Sequence, residues 1–380
     1  MSKQINTSHS KIFLIVGSFA ESLINFRGHL IVALQVKGLQ LHVAAPGLVA
    51  GNKTYSRLQA MGVCVHDVAL SRKGINPFSD LQTFFSLYKL IKKIRPDYIL
   101  CYTIKPVIYG TLSAWLLGIS NRFALITGLG YAFQDVGNHK YLKYFIQRVY
   151  GYVISKATKT FFQNPDDQIL FKSRGLISKY SSSCIVNGSG VDLDYFDVVP
   201  FPEGINFLMI SRLLGNKGVR EFVAAAKKVN AVFPEVRFTL VGWLDKGADA
   251  IRQSELDGWV ESKSIDYLGA MADVRPAIGA SNVYVLPSYR EGTSRTILEA
   301  MAMGRPIITT DVPGCRDAVI EGYNGTLVCA KSIDDLVEAM TKFILNPHLI
   351  HRMGAHSRKL SIQKYDVHKV NDFMLREMGL

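Results

Sequence analysis

Short apolar runs bounded by glycine, proline or polar clusters recur along the chain between longer stretches in which apolar positions return every three to four residues. The runs predict strands at Lys11 to Gly17, Leu41 to Ala45, Val63 to Asp67, Tyr98 to Tyr102, Arg122 to Ile126 and Thr160 to Gln163. The longer stretches predict helices near Gly28 to Lys37, Lys53 to Met61, Asp80 to Lys93 and Pro106 to Leu117. Strand and helix in alternation predict a Rossmann-like α/β domain on a parallel sheet. A turn-rich bridge from Asn187 to Asp192, with Pro200 and Pro202 beyond, opens a second alternation.

That second alternation places a strand at Ile205 to Ile210, a helix from about Val219 to Val232, a loop at Asp266 to Asp273 and a helix at Val274 to Ala280. A strand at Asn282 to Pro287 is followed by helix formers from Ile297 to Met303, a helix stop at Gly304 and a buried strand at Ile307 to Thr310. The end, from about Ile333, reads helical. The expected division is a first domain over residues 1–190, a second over 191–360, and a terminal segment over 361–380.

Chemistry gathers where these predicted strands end. Between Glu291 and Glu299 lie seven residues, at the turn from strand to helix. Ligands of open parallel sheets bind outside the carboxyl ends of the strands. On a continuous helix the two carboxylates would stand roughly 80° apart, which suits two separate groups of one extended ligand better than a tight acid pair. The amides of Gly292, Thr293 and Ser294 offer an anion site at the helix start. A diphosphate with polar groups at either end would fit, and two solvated surface carboxylates are the plain alternative. At another strand end Arg212 and Lys217 flank a glycine loop, a planar fork and a point charge suited to phosphate. Backbone around Gly269 could read a nucleobase edge or merely connect two elements, and the turn Asp311 to Cys315 closes the rim.

A length of 380 residues accommodates two cores, and 48% hydrophobic residues exclude disorder. Cys64, Cys101, Cys184, Cys315 and Cys329 are odd in number and scattered without CxxC spacing, which favours reduced thiols and argues against zinc. The start is polar, its first apolar run is too short for a signal peptide, and no run of about 18 apolar residues offers a membrane span. A cytoplasmic protein is expected. The charge is uneven: residues 1–200 hold 22 Lys and Arg against 10 Asp and Glu, and the remainder 22 against 21. Such a field attracts phosphates and acidic lipid headgroups. No helix-turn-helix, zinc finger or aromatic RNA-binding signature accompanies it, so no nucleic-acid partner is expected. Lys140, Lys143, Arg148, Lys156 and Lys159 interleave with Tyr141, Tyr144, Phe145, Tyr150 and Tyr152, and Phe84, Phe85, Leu87 and Tyr88 precede Lys89, Lys92 and Lys93. Both mixtures suit an anionic membrane interface; packing of the rings into their own domain, with the lysines in water, is the alternative.

The run Ser211 to Gly218, the loop at Gly269, the Glu291 to Glu299 element and the Gly314 turn resemble, in order and spacing, the donor half of retaining GT-B glycosyltransferases of family four, and the resemblance covers essentially the whole chain. It implies two Rossmann-like domains facing across a cleft, with the terminal helix returning to the first. By the same resemblance Arg212 and Lys217 hold the donor diphosphate, Glu291 meets sugar hydroxyls, the amides of Gly292, Thr293 and Ser294 touch sugar and phosphate, and Glu299 binds ribose. The loop from Gly17 through Asn25, Phe26 and Arg27 is implied to lie near donor phosphate and acceptor, and the loops at Lys105 and at Gly128, Gly130 and Tyr131 to supply the acceptor site and part of the catalytic cleft. Many relatives carry a histidine on one of the latter two loops and this chain has none, so Lys105 or Arg27 is a candidate for related electrostatic work, or an ordinary rim residue. Gly128 and Gly130 do not complete a dinucleotide fingerprint, because Phe133 stands where the third glycine belongs.

Arg212, Lys217 and the helix amides are expected to stabilise the departing phosphate without metal or cofactor. Asp192 and Asp194 read as a turn cap rather than a metal pair. Thr103 to Gly110 and Thr127 to Phe133 look most like bacterial enzymes that extend undecaprenyl-diphosphate-linked sugars in O-antigen, capsule or protein glycan assembly. The resemblance thus implies transfer of a sugar, N-acetylgalactosamine or a related one, from a UDP-sugar to a lipid-diphosphate-linked acceptor at the inner face of the bacterial inner membrane. Alternatives are a UDP-N-acetylglucosamine 2-epimerase-like enzyme, distinguished by turnover without acceptor, and a nucleotide-sugar-binding protein without turnover.

Overall fold

A computed structural model describes residues 10–71, 76–129, 133, 140–178, 181–247 and 249–380. The chain divides into two compact units, Met1–Val186 with Asn371–Leu380, and Asn187–Val370. The first break falls at 186/187 rather than 190/191 because the bridge packs into the second unit: the Asn187 side-chain amide donates to the Lys364 carbonyl at 3.1 Å, and the Val191 amide to that of Tyr365 at 2.8 Å. The last break falls at 370/371 rather than 360/361. The helix His348–Leu360 runs through a π turn at Ser361–Tyr365, where the buried Tyr365 hydroxyl donates to the Asp317 carbonyl, before the helix Val367–Met378 begins.

In the first unit seven strands, β1 (Ile12–Val16), β2 (Gln40–Ala45), β3 (Cys64–Asp67), β4 (Tyr98–Tyr102), β5 (Asn121–Ile126), β6 (Lys159–Phe162) and β7 (Ser183–Ile185), form a parallel sheet in the order β3-β2-β1-β4-β5-β6-β7. Asn52, Asn76 and Asn164 cap helices between them, the last two ahead of a proline in the first turn. The order reverses between β1 and β4, so the loops after these two strands flank the crevice where such sheets take ligands.

The second unit repeats the plan with β8 (Asn206–Ile210), β9 (Arg237–Val241), β10 (Asp266–Tyr267), β11 (Val283–Leu286), β12 (Ile307–Thr310) and β13 (Gly325–Val328), all parallel, in the order β10-β9-β8-β11-β12-β13. Its reversal lies between β8 and β11. The core beneath is continuous, from Phe207 and Leu208 through Val283 and Val285 to Ile307 and Ile308. Arg305 is fully buried, and the carbonyls of Ile278, Val199, Met303, Pro200 and Gly279 accept from its guanidinium at 2.9–3.3 Å. Arg305→Met removes all the guanidinium donors from these carbonyls. The expected loss is about 3 kcal/mol or more of stability, read as a lower midpoint in urea unfolding.

Candidate active site

At the switch point of the second sheet, the loop after β8 tightens into a 3₁₀ turn at Gly215–Lys217 and leaves it through Gly218, whose φ of +76° favours glycine. It is tied to the loop after β11. The Tyr289 amide donates to the Asn216 carbonyl at 2.9 Å, and the Ser288 hydroxyl does so at 3.3 Å. A Cβ at 218 would lie 2.7 Å from the Pro287 carbonyl carbon. This seam brings Lys217 Nζ onto Glu291 Oε1 as an ion pair, each side chain about one-sixth exposed. Residues assigned separately to phosphate and to sugar thus form one charged pair at the carboxyl ends of adjacent strands.

Glu299 is placed differently. The helix begins only at Arg295, with Ser294 as its N-cap, so Glu291 belongs to the loop and the angular relation of a continuous helix does not apply. The Ser294 hydroxyl, 3.5 Å from the Ile297 amide, closes the first turn. Glu299 is buried, and its Oε1 accepts from Arg295 Nε at 2.7 Å. Burial pushes its carboxyl up and Arg295 opposes that shift. Beneath both glutamates lies Tyr284, fully buried, its hydroxyl within hydrogen-bond distance of the Ile210 carbonyl at 3.0 Å and Thr296 Oγ1 at 2.6 Å. It links the end of β8 to the start of the helix. The Gly314 turn abuts the same loop: the Glu291 amide donates to the Pro313 carbonyl at 3.0 Å, and a Cβ on Gly314, at φ +78°, would lie 2.6 Å from the Gly292 carbonyl oxygen. Gly292 and Thr293 lie along this loop, and a Cβ on Gly188 would meet the Thr293 side chain at 2.9 Å.

Arg212 pairs with Asp245 at 3.1 Å. Asp245 belongs to a loop after β9, Gly242 to Asp245, that the motif spacing did not single out; the glycine after the apolar run Phe238 to Val241 was its signal. Gly269 is in the left-handed region at φ +71°, but its carbonyl accepts from the Gly242 amide at 2.9 Å. That hydrogen bond joins the loops after β9 and β10. Asp192 Oδ1 accepts from the amides of Asp194 and Tyr195, closing a turn. Among the described residues no group of three or more His, Cys, Asp or Glu could hold a metal ion.

In the first unit, Gly17 at the end of β1 leaves room for Tyr102 at the end of β4; a Cβ would lie 2.6 Å from the ring carbon that bears the Tyr102 hydroxyl. That hydroxyl and Ser22 Oγ stand 2.6 Å apart. Arg27 stacks on the Tyr102 ring at 5.2 Å and is only 3% exposed. Arg27 is therefore buried rather than a rim residue. Asn25 ends the short helix Glu21–Asn25, and the partly exposed Phe26 meets Phe19 edge-on. Lys105 is paired with Asp80 at 2.7 Å, both largely buried, so its charge is met within the unit. Gly128 takes φ +139°. Gly130 and Tyr131 lie outside the described residues, as do the side chains of Lys140 and Lys143.

Two family descriptions match. Residues 15–164 match "Glycosyl transferase 4-like" and residues 204–346 match "Glycosyl transferases group 1". The chain is a glycosyltransferase that carries a group 1 domain in its second half. It is 28% identical over 360 residues, 91% of this chain and 92% of the relative, to the N,N'-diacetylbacillosaminyl-diphospho-undecaprenol alpha-1,3-N-acetylgalactosaminyltransferase of Campylobacter jejuni. To the UDP-Gal:alpha-D-GlcNAc-diphosphoundecaprenol alpha-1,3-galactosyltransferase of Escherichia coli it is 26% identical, covering 78% of this chain and 79% of that one. Among solved structures, the sucrose-phosphate synthase of Thermosynechococcus elongatus superposes with a TM-score of 0.78 at 17% identity, over 96% of this chain and 98% of that one. Anabaena Alr3699/HepE in complex with UDP and glucose gives 0.74 at 17%, over 98% and 100%. The fold is GT-B.

The surface of this glycosyltransferase's first unit carries an aromatic and basic patch. The helices Pro77–Ile94, Ile104–Leu116 and Lys140–Ile154 pack side by side. Phe78, Leu81 and Phe85 are exposed on the first, Leu116 at the end of the second, and Tyr144, Phe145 and Tyr152 on the third. Arg148 Nε donates to the Tyr144 hydroxyl at 2.8 Å, and Lys156 Nζ stands 4.8 Å from the Trp115 ring and 4.7 Å from that of Tyr152. Among the described residues no helix is long and apolar enough to cross a membrane.

Proposed function

We propose that this glycosyltransferase moves N-acetylgalactosamine or a related sugar, with retention, from a UDP-sugar to an undecaprenyl-diphosphate-linked saccharide in bacterial surface or protein glycan assembly. The observation that carries the reading is the Lys217–Glu291 pair at the switch point of the second sheet. A nucleoside diphosphate entering there meets Lys217, Arg212 and the amides that follow Glu291, groups placed to offset charge building on the departing phosphate. Glu291, oriented by Lys217, faces the sugar hydroxyls, and Glu299 takes the ribose. A phosphate oxygen of the leaving group accepts the acceptor proton, which requires neither a metal nor a protein base. The names of the Campylobacter and Escherichia relatives support the acceptor class, and that of the Campylobacter relative supports the donor sugar.

The test is to incubate the protein with a panel of radiolabelled UDP-sugars and short lipid-diphosphate acceptors and count the organic phase. Label from UDP-N-acetylgalactosamine is expected to move there. Epimerised nucleotide sugar without acceptor, or no movement from any donor, would remove the proposal.

The proposed acceptor class supports work at the inner face of the membrane, and the exposed rings with Arg148 and Lys156 are suited to an anionic surface. Binding to vesicles is expected to rise with acidic lipid and to fall as salt shortens the screening length below about 10 Å. Arg148→Gln with Lys156→Gln removes about 2 kcal/mol of attraction, or about thirtyfold in partitioning. Vesicle binding that ignores lipid charge would refute the membrane role of this face.

A further inference from the structure

Arg295 occupies an unfavourable place for helix stability. It is the first residue of the helix Arg295–Ala302, where the dipole favours an acid, and its partner Glu299 follows it by four residues, the weaker order for such a pair. Yet its Nε donates to Glu299 Oε1 at 2.7 Å, and the Glu299 side chain is only 7% exposed. No described hydrogen bond uses Oε2.

We propose that Arg295 is the positioning residue of the ribose subsite: gripping Oε1 of Glu299, it turns Oε2 toward the ribose hydroxyls and keeps the buried carboxylate ionised. The inference rests on the reading that Glu299 meets ribose. The groups around Glu299 set the need for it. Asp273, from the loop after β10, adds a like charge and is itself held by Arg275 at 2.7 Å. Tyr284 rises from β11, its hydroxyl committed to Ile210 and Thr296. Burial and Asp273 both disfavour the carboxylate, and Arg295, through its charge and its hydrogen bond, favours it. Without Arg295 the folded-state pKa of Glu299 rises further, so the charged form is lost as pH falls through that raised value. A protonated carboxyl then meets the ribose with the weaker hydrogen bond of a neutral group.

Calorimetric titrations with UDP and with 2′,3′-dideoxy-UDP, from about pH 6 to about pH 9, test this. Wild type is expected to bind UDP with little pH dependence and the dideoxy compound more weakly. Arg295→Met is expected to bind UDP about tenfold more weakly near the acid end and to recover toward the alkaline end, with the dideoxy compound unaffected. Arg295→Lys retains most of the wild-type profile. Arg295→Gln keeps a donor without the charge, and is expected to show the same acid loss should the Met variant fold poorly. Equal weakening of both ligands at every pH would overturn the proposal, because the arginine would then serve the phosphates or the loop. Unchanged UDP affinity in Glu299→Gln, together with no preference of wild type for UDP over its dideoxy analogue, would instead remove the ribose reading beneath it.

Discussion

Glu291→Gln is expected to lower kcat about a hundredfold to a thousandfold, the scale of removing one well-placed polar contact to a transition state. The substitution keeps size and shape, so what it removes is charge. In the native protein that charge is shared with Lys217 at a site about one-sixth exposed. The glutamine leaves the lysine with one neutral acceptor and nothing to fix its direction. Both the sugar contact and the aim of the cation toward the leaving phosphate suffer together. For this reason Lys217→Met is expected to cost nearly as much, and the double variant far less than the sum. The fold is expected to persist. The Glu291 amide holds the Pro313 carbonyl, and Ser288 and Tyr289 hold the neighbouring loop, all without this carboxylate. Steady-state kinetics beside thermal unfolding would decide: a variant within twofold of wild-type activity removes the site, and one that unfolds several degrees earlier says the carboxylate is structural.

Much of this site was legible because it lies where strands end. The apolar runs at 205–210 and 282–287 mark β8 and β11, and the residues just beyond them are the ones that meet at the switch point. Partnership was not legible. Nothing in the spacing couples Lys217 to Glu291, since their contact depends on β8 and β11 being neighbours, which is a fact of strand order. Burial misled in the first unit for the same reason. Arg27 reads as a candidate for electrostatic work at the site, or as a rim residue, because it follows a strand and loop, but Tyr102, from the adjacent strand, supplies a ring to cover it. Lys105 reads as a free cation until Asp80, on a helix packed beside its own, is seen to meet it. The two-residue β10 and three-residue β7 are too short to show any period, and Arg295 carries no signal of its own because its meaning comes from the carboxylate it holds.

Gly314→Ala tests whether the site depends on the placement of Glu291 as well as on its chemistry. The residue touches no proposed substrate. At φ +78° an alanine is strained, by on the order of 1 kcal/mol. Its Cβ would stand 2.6 Å from the Gly292 carbonyl oxygen and nearer still to that of Glu291, both rigid backbone atoms rather than the yielding tip of a side chain. To reach an ordinary contact the loop must retreat by on the order of 1 Å. A displacement of that size at a reacting centre costs about a hundredfold in rate. Glu299 is expected to stay, because its helix is anchored independently through Tyr284 and Ser294. The outcome should therefore be split: transfer falls about a hundredfold, while uridine, which needs only the ribose and base contacts, binds as it does to wild type. If uridine binding falls in step with transfer, the Gly314 turn supports the whole donor site instead of one carboxylate. If neither changes, the loop has room that these contacts deny, and the tight seat assigned to Glu291 is wrong.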